Sequence, residues 1–262
     1  MQNEADARRT RAGRRSVGRK TKLHVKVVSV LYLGRMEYAP ALALQQKLIQ
    51  QRKEGTIGDV LLLLEHTPVL TMGRNARREN ILLTDQELLD RHVQVVDTNR
   101  GGDVTYHGPG QLVGYPIFDL RSFDPRLGVL DFVRRMEEAI IRVCAEFGLL
   151  TERVPGRTGV WTKPSGSLVE RKIAAIGVHI SNGVTSHGFA LNVTTDLKDF
   201  DWIVPCGIAD RGVTSLERES EAGPGELKLP AVAEGVSRQF GRVFGTQMLW
   251  LESLADLHAA VS

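Results

Sequence analysis

The sequence predicts an α+β fold in which helices flank mixed β-sheets. Segments rich in β-branched residues come in consecutive runs and outnumber the segments with helical spacing, which is typical of this class. A second observation is Asn182-Gly183 between two β-rich runs, because this pair accommodates the positive φ angles of a type I′ hairpin turn. A third is that 42% of the 262 residues are hydrophobic, which suffices for the core of one large domain or two small ones.

Local patterns along the chain predict the individual elements. Helices are assigned where apolar residues recur at helical spacing, and strands where apolar or β-branched runs are bounded by turn residues. Gly55 ends the first helix, and Thr84 with Glu87 three positions later predicts a capping box at the second. The predicted strands are residues 23–32, 59–65, 93–96, 112–118, 159–162, 172–180 and 184–193. The predicted helices are residues 38–53, 84–91, 130–147 and 230–244.

The formal net charge of +3 is unevenly distributed. Residues 1–22 hold eight Lys and Arg against two Asp and Glu, which gives +6 and leaves −3 for the remainder. This segment has almost no apolar content and is predicted to be a disordered basic tail, either a solvated extension or a contact for nucleic acid or an acidic protein. The body lacks a basic face with interleaved aromatic residues, so we expect no nucleic acid as its main partner. Residues 23–246 are predicted to form a single domain, and residues 247–262 a C-terminal extension.

Several classes of protein are excluded by the composition. The longest apolar run, Val60–Leu64, is far shorter than the ~18–20 residues of a membrane helix. The N-terminus lacks the apolar segment of a secretory signal. Two cysteines make neither a disulfide framework nor a zinc site alone. We therefore expect no metal, no membrane partner and a reducing, cytoplasmic location.

The predicted hairpin has one face almost stripped of side chains. If Asn182 and Gly183 are the whole loop, Gly177 opposes Gly188 and Ala175 opposes Ala190. The other face carries the apolar residues Ala174, Ile176, Val178 and Ile180. A bare strip on a two-stranded ribbon admits either an unbranched ligand or a closely packed neighbouring backbone. The sequence alone does not separate these two readings.

Cys206 is a candidate nucleophile, and Lys172 is a candidate partner for it. Pro205 and Gly207 place the thiol at a tight bend, and a nearby ammonium lowers the pKa of a thiol. The alternative is an inert buried cysteine and a solvated lysine at a strand end. Strict alternation places Lys172 on the core face of its strand, so a bulge or a later strand start is needed to turn it towards the bare face.

The segment 100–111 is a second candidate site because it contains four glycines around charged and aromatic residues. Arg100-Gly101-Gly102 offers backbone amides beside a cation, an arrangement suited to a carbonyl, carboxylate or phosphate. Neither the dinucleotide fingerprint nor the P-loop pattern is present. His107 lies in this loop and is a functional candidate. His66 is expected to be a hydrogen-bonded structural residue, and Cys144, within an apolar helix, a core residue.

Five motifs, in the same order, resemble those of the lipoyl(octanoyl) transferases, and the match runs from about residue 25 to residue 245. These enzymes are octanoyl-[acyl carrier protein]:protein transferases of lipoate synthesis. The matching motifs are residues 64–73 (LEHTPVLTMG), 100–111 (RGGDVTYHGPGQ), 172–177 (KIAAIG), 187–192 (HGFALN) and 205–208 (PCGI).

The resemblance implies a biotin/lipoate protein ligase-like catalytic domain with a cysteine–lysine dyad and no cofactor. Cys206 takes the place of the acyl-thioester nucleophile, and Lys172 that of the residue that lowers its pKa and acts as general acid or base. The donor is octanoyl-acyl carrier protein, and the acceptors are apo-lipoyl domains of 2-oxoacid dehydrogenase complexes and the glycine cleavage H protein. We expect a monomer. The implied substrate contacts are Arg100, Gly101, Gly102, Asp103, Val104, Thr105, Tyr106, His107, Ala175, Ile176, Gly177, Gly188, Phe189 and Ala190.

Two other functions compete with this interpretation. An ATP-dependent lipoate or biotin ligase of the same fold uses a lysine but no nucleophilic thiol, so Lys172 fits both enzymes and Cys206 only the transferase. A non-catalytic acyl-binding protein built on this fold is a third possibility. Dependence on ATP separates the ligase from the transferase, and Cys206→Ser separates the binding protein from the transferase, because it abolishes turnover but leaves binding largely intact.

Overall fold

Eleven strands and five α-helices form the part of the chain that the structure describes, which is residues 25–162, 170–204, 212–221, 223 and 225–258 of a computed structural model. The predictions for the basic tail and for most of the loop at 163–170 lie outside these residues. The helices are α1 Tyr38–Glu54, α2 Asp85–Asp90, α3 Val129–Glu146, α4 Leu216–Glu219 and α5 Leu229–Phe244. The strands are β1 Lys26–Met36, β2 Asp59–His66, β3 Val69–Met72, β4 Gln94–Asp97, β5 Thr105–His107, β6 Gln111–Ile117, β7 Glu152–Val154, β8 Arg157–Thr162, β9 Arg171–Ser181, β10 Val184–Asn192 and β11 Thr246–Trp250.

The strands form one large and one small sheet. The large sheet has the order β11-β1-β2-β6-β10-β9-β8-β7, and the small sheet has the order β4-β3-β5. Strands β11, β1 and β2 run parallel to one another, whereas the remaining neighbours in the large sheet are antiparallel. The predicted α+β class with helices against mixed sheets is therefore confirmed. The small sheet was not predicted, because all three of its strands have only three or four residues, and only β4 had been predicted, as residues 93–96.

Helices cover both faces of the large sheet, which explains why β2 is buried along its whole length. Leu61 and Leu63 face an apolar layer built mainly by α3 and α5, and Leu62 and Leu64 face a second layer built by α1. A strand that is covered on both sides loses the polar alternation of a half-exposed strand. The uninterrupted apolar run of β2 therefore marks the middle of the fold.

Local signals placed several helix ends correctly. Thr84 accepts a hydrogen bond from the amide of Glu87, and the Glu87 carboxylate accepts one from the amide of Thr84, so the predicted capping box is confirmed. Gly55 ends α1 in the left-handed conformation, with φ of 76°. A side chain is strained at that angle, whereas glycine is not.

The hairpin β9–β10 has the predicted register. Val184 pairs with Ser181, Gly188 with Gly177 and Ala190 with Ala175. Asn182 and Gly183 both have positive φ, 51° and 80°, as a type I′ turn requires. The hairpin lies in the interior of the large sheet, because β6 pairs with the other edge of β10.

The segment set apart as a C-terminal extension continues the large sheet. Strand β11 runs from Thr246 to Trp250 and pairs in parallel with Lys26 to Val30 of β1. Leu257 then packs into the apolar layer of α1. The expected boundary at 246 therefore falls at the start of a sheet strand. Among the described residues, no helix combines the length and the apolar character needed to cross a membrane.

Candidate active site

A cavity of about 270 Å³ lies beside the bare face of the hairpin β9–β10. Its wall is built from both sheets, from the loop that precedes β5 and from the start of α1. The lining residues are Tyr38, residues 100–105, His107, Gln111, Val113, Tyr115, residues 156–158, Trp161, Lys172, Ile173, residues 175–177, residues 187–190, Asn192, Phe200 and Val213.

All the substrate contacts implied by the resemblance lie on this wall except Tyr106. Alternation along β5 turns Thr105 and His107 towards the cavity and Tyr106 away from it. Tyr106 is fully buried, and its hydroxyl donates a hydrogen bond of 2.5 Å to Asp199 Oδ2. Its ring packs against Phe200 and Trp202 in a separate apolar cluster. The assignment of Tyr106 as a substrate contact is therefore wrong for this structure, and its place is structural.

The bare strip of the hairpin packs against neighbouring backbone, and it also lines the cavity. A Cβ atom on Gly177 would lie 2.7 Å from the carbonyl oxygen of Gly101, and one on Gly188 would lie 2.1 Å from that of Gly114. The two glycines therefore admit neighbouring backbone. Ala175 lies two pairs further along the hairpin, on the same face, and lines the cavity.

Arg100 is a buried cation whose position is fixed by Thr71. Its Nη2 donates to the carbonyl oxygen of Thr71 at 2.6 Å and to the hydroxyl of the same residue at 2.9 Å. The amide of Gly101 donates to the carbonyl oxygen of Val178 at 3.0 Å, which docks the loop on β9. The expectation that this amide serves a ligand is therefore wrong, because it already has a partner. The guanidinium remains on the cavity wall.

Lys172 is turned into the cavity by a β-bulge. Val160 pairs with Ala174, but the next residue, Trp161, pairs with Lys172, so Ile173 is an extra residue on β9. A bulge of this kind shifts the side-chain alternation by one position. Ile173 and Ala174 consequently both pack into the core, and Lys172 reaches the cavity on the same side as Ala175. The bulge resolves the orientation that strict alternation left open.

A cluster of histidine and tyrosine side chains adjoins Arg100. His66 is fully buried, and its Nδ1 donates to the carbonyl oxygen of Met36 at 3.1 Å, so its Nε2 accepts the hydrogen bond from the Tyr115 hydroxyl at 2.7 Å. His66 is thus the satisfied hydrogen-bonding residue that the sequence predicts. The ring of Tyr38 stacks on that of His107 at 6.3 Å. Together these rings give one part of the cavity an aromatic wall.

The titratable rings of this cluster are uncharged at neutral pH. Burial lowers the pKa of His66 to about 4, and burial together with electrostatic coupling to His66 and to the Arg100 cation lowers that of His107 to about 3. Burial also raises the pKa of Tyr38 to about 12, and it raises that of Tyr115. Because desolvation disfavours charged forms, this wall suits an uncharged ligand.

A chain of hydrogen bonds links His107 to the backbone of Lys172. Gln111 donates from Nε2 to Asn192 Oδ1 at 2.9 Å, so its Oε1 accepts from His107 Nδ1 at 2.7 Å. Asn192 Nδ2 donates to the carbonyl oxygen of Thr214 at 2.9 Å, and the amide of Thr214 donates to the carbonyl oxygen of Lys172 at 2.9 Å. The chain fixes the histidine tautomer and holds residue 214 against β9.

Cys206 lies outside the described residues, but the segment that follows it is tied to Lys172. The amide of Lys172 donates to the carbonyl oxygen of Gly212 at 3.1 Å, and Val213 forms a parallel bridge with Lys172. Gly212 is six positions after Cys206 in the sequence. Cys144, by contrast, is fully buried in α3, and burial raises the pKa of its thiol to about 12. Cys144 is therefore the core residue that was expected.

Several cavity residues were not predicted from the sequence. Tyr38, Tyr115 and Trp161 are separated by tens of residues and carry no motif of their own, and only the fold brings them together. Gln111 and Asn192 are the last residues of the motifs at 100–111 and 187–192, and their place in those motifs is the one signal that could have identified them from the sequence. Among the described residues, no group of three or more His, Cys, Asp or Glu side chains is arranged to hold a metal ion.

The chain is similar to known proteins along most of its length. Residues 37–241 match the family model described as the lipoyl protein ligase A/B catalytic domain. An octanoyltransferase from Acidobacterium capsulatum is 62% identical over 236 residues, covering 88% of this chain and 96% of that protein. One from Koribacter versatilis is 55% identical over 231 residues, covering 88% and 90%.

Solved structures show the same fold at low sequence identity. A bipartite lipoate protein ligase system from Thermoplasma acidophilum aligns with a TM-score of 0.67 at 17% identity, covering 91% of each chain. Lipoate-protein ligase A bound with ATP aligns with a TM-score of 0.65 at 15% identity, covering 89% of this chain and 92% of that one. With the sequence matches, these findings lead to one conclusion: the chain belongs to the lipoyl protein ligase A/B catalytic domain family and, within it, to the octanoyltransferases, which are acyltransferases of protein lipoylation.

Proposed function

We propose that this protein transfers an octanoyl group from octanoyl-acyl carrier protein to a lysine amine of apo-lipoyl domains, through a thioester on Cys206. The observation that carries the proposal is at Lys172. Its side chain is turned into the cavity by the bulge at Ile173, and its backbone pairs with residues 212–214, which follow Cys206 in the chain. A lysine cation that lines the cavity, with its backbone paired to the segment that follows the thiol in the chain, suits acyl transfer to that thiol.

The dimensions of the cavity support an eight-carbon acyl chain. Lys172 and Gly177 both line it and lie five residues apart on β9, a separation of roughly 16 Å along a strand. The seven C–C bonds of an octanoyl group, about 1.5 Å each, span roughly 9 Å when extended. We therefore propose that the acyl chain lies along the face of Ala175 and Gly177, with its carbonyl carbon at the Lys172 end.

In the first step, the Cys206 thiolate attacks the carbonyl carbon of the carrier thioester. A new carbon–sulfur bond forms to Cys206, the old one breaks, and the carrier's sulfur leaves as a thiolate that takes up a proton from the Lys172 ammonium. The ammonium of Lys172 favours the thiolate of Cys206 over its neutral thiol. One thioester replaces another, so the step is nearly isoenergetic and needs no ATP.

In the second step, the amine of the acceptor lysine attacks the acyl-enzyme. A carbon–nitrogen bond forms, the carbon–sulfur bond to Cys206 breaks, and the amine loses one proton as the amide is made. Lys172, which gave its proton to the carrier thiolate in the first step and is now a neutral amine, or a water that it positions, takes that proton as general base. Splitting the transfer into two steps of this kind is covalent catalysis.

The partners follow from the same proposal. The donor is the octanoyl-loaded acyl carrier protein. The acceptors are the apo-lipoyl domains of 2-oxoacid dehydrogenase complexes and the glycine cleavage H protein. The monomeric state and the cytoplasmic location expected from the sequence remain predictions.

The test is octanoyl transfer to a purified apo-lipoyl domain with either of two donors. We expect transfer from octanoyl-acyl carrier protein without ATP, and none from free octanoate with ATP and magnesium. Cys206→Ser is expected to abolish turnover while the thermal unfolding midpoint stays within ~1–2 °C of wild type, since the exchange of sulfur for oxygen changes the side-chain volume little. Transfer that needs ATP and the free acid would assign a ligase instead, and binding of the acyl chain without transfer would assign a binding protein.

A further inference from the structure

Two cations share the indole ring of Trp161 at the Lys172 end of the cavity. The ring is 2% exposed and lines the cavity. Lys172 Nζ lies 4.7 Å from the ring centroid, and Arg157 Cζ lies 5.8 Å from it. Both distances fall within the ~6 Å range of a cation–π interaction, and tryptophan offers the strongest face for one. The closer of the two cations is the lysine of the proposed dyad.

The backbone brings this ring and this ammonium together. Trp161 on β8 is the direct cross-strand partner of Lys172 on β9, immediately after the bulge. Directly paired residues on neighbouring strands place their side chains side by side on the same face of the sheet. The bulge that turns Lys172 into the cavity therefore also places its side chain against Trp161.

The bulge is anchored to the helix behind it. Gly159 has φ of 120°, and a Cβ atom there would lie 2.6 Å from the carbonyl oxygen of Ala174 and 3.6 Å from Lys172 Cε. The amide of Gly159 donates to Glu137 Oε1 at 3.1 Å. Glu137 on α3 is fully buried and forms ion pairs with the side chains of Arg134 and Arg153. The strand opposite Lys172 is thus held in its irregular conformation by a buried carboxylate.

We propose that Trp161 is a positioning residue that holds the Lys172 ammonium at the reacting end of the cavity through the cation–π contact. This inference rests on the proposed function, in which that ammonium activates Cys206. A lysine side chain is long and has several freely rotating bonds. Unless a contact restrains it, its ammonium therefore samples many positions and is seldom beside the thiol. The rigid, buried face of the Trp161 ring supplies that contact and keeps the Lys172 ammonium in place for both steps of the transfer.

The test is the rate of alkylation of Cys206 by iodoacetamide at pH 7.5, followed by intact-protein and peptide mass spectrometry. Trp161→Leu is expected to slow alkylation about five- to tenfold, the loss equivalent to one cation–π contact in a partly desolvated site. Trp161→Phe keeps a ring and is expected to lose less than about threefold. Trp250→Leu is the matched control, because Trp250 is 41% exposed on the distant edge strand β11, and it is expected to react at the wild-type rate.

A double-mutant cycle separates positioning from mere structural support. If Trp161 acts through Lys172, Trp161→Leu slows alkylation by less than twofold in a Lys172→Met background. A loss of the same size in both backgrounds would overturn the inference, because the ring would then act through Arg157 or through the fold. A Trp161→Phe variant as slow as Trp161→Leu would also overturn it, because that result would assign the effect to the indole N–H.

A second measurement is independent of the proposed function. In a protein with isotope-labelled lysines, the Hε protons of Lys172, assigned by their loss in Lys172→Met, are expected to be shifted upfield by the ring current and to lose that shift in Trp161→Leu. Unshifted protons in the wild type would overturn the inference. If the shift is present but Lys172→Met alkylates at the wild-type rate, then the dyad of the proposed function fails, while the contact itself stands.

Discussion

Replacement of Gly177 by alanine tests how the loop that carries Arg100 is docked on the hairpin. The added Cβ atom would lie 2.7 Å from the carbonyl oxygen of Gly101 and 3.3 Å from Arg100 Cδ. Both belong to a loop that is bound through the amide of Gly101 to the carbonyl oxygen of Val178, so it must move by a few tenths of an ångström. Overpacking of this kind costs about 1–3 kcal/mol, and the docking hydrogen bond is weakened as part of that cost.

The assay combines thermal unfolding with steady-state kinetics. A loss of about 1–3 kcal/mol corresponds to a fall of roughly 2–6 °C in the unfolding midpoint for a chain of this size. Because Arg100 moves with the loop, we also expect kcat/KM for the octanoyl donor to fall. The matched control is Gly58→Ala, where no atom lies within 4 Å of the new Cβ, and its stability is expected to be unchanged or slightly higher. A Gly177→Ala variant with both wild-type stability and wild-type kinetics would refute the proposed docking.

Three further predictions concern the cavity and the buried titratable groups. Ala175→Leu fills the strip along which the acyl chain is proposed to lie, so transfer of an octanoyl group should fall about tenfold or more, while transfer of a butanoyl group falls less. Acidification should destabilise the protein, because the pKa values of His66 and His107 are lowered to about 4 and about 3 by burial. The stability that these neutral rings contribute is fully present above the unfolded-state value near ~6.5, and between pH 6.5 and 5 each loses up to about 2 kcal/mol. Iodoacetamide at pH 8 should label Cys206 alone in the folded protein and also Cys144 after denaturation, because burial raises the pKa of the Cys144 thiol to about 12.

Each of these predictions has a contradicting result. Equal losses for the octanoyl and butanoyl donors would place the acyl chain elsewhere. An unfolding midpoint that does not change between pH 7.5 and pH 5, or an acid response that is the same in His66→Gln as in the wild type, would contradict the assigned protonation of the buried rings. Two labelled thiols in the folded protein would show that α3 opens readily, and no labelled thiol would show that Cys206 is not accessible.

The sequence predicted the hairpin well because its determinants are local. The turn depends only on the positive φ angles that Asn182 and Gly183 adopt. Once it forms, the loop length fixes the hairpin register, so each cross-strand pair down to Ala175 and Ala190 follows. The capping box at Thr84 is local in the same sense. The register of the hairpin and most helix ends could therefore be predicted from neighbouring residues, without knowledge of the remaining chain.

The orientation of Lys172 was not available, because it depends on contacts between distant segments. The bulge at Ile173 requires Gly159 with positive φ on the opposite strand, and Gly159 in turn is held by Glu137 from α3. The residues that neighbour Lys172 in the sequence therefore do not predict the bulge. Tyr106 is a different case, since alternation along Thr105 to His107 would have turned it away from its neighbours, had the three residues been recognised as a strand.

The central claim is that Cys206 carries the octanoyl group between donor and acceptor. The most direct measurement mixes the protein with octanoyl-acyl carrier protein without ATP, records its intact mass, and then adds an apo-lipoyl domain. We predict one octanoyl adduct that maps to Cys206, is absent in Cys206→Ser, and disappears as the lipoyl domain gains the same mass. Octanoylation of the lipoyl domain by Cys206→Ser at the wild-type rate, or an adduct that the lipoyl domain does not discharge, would contradict the account.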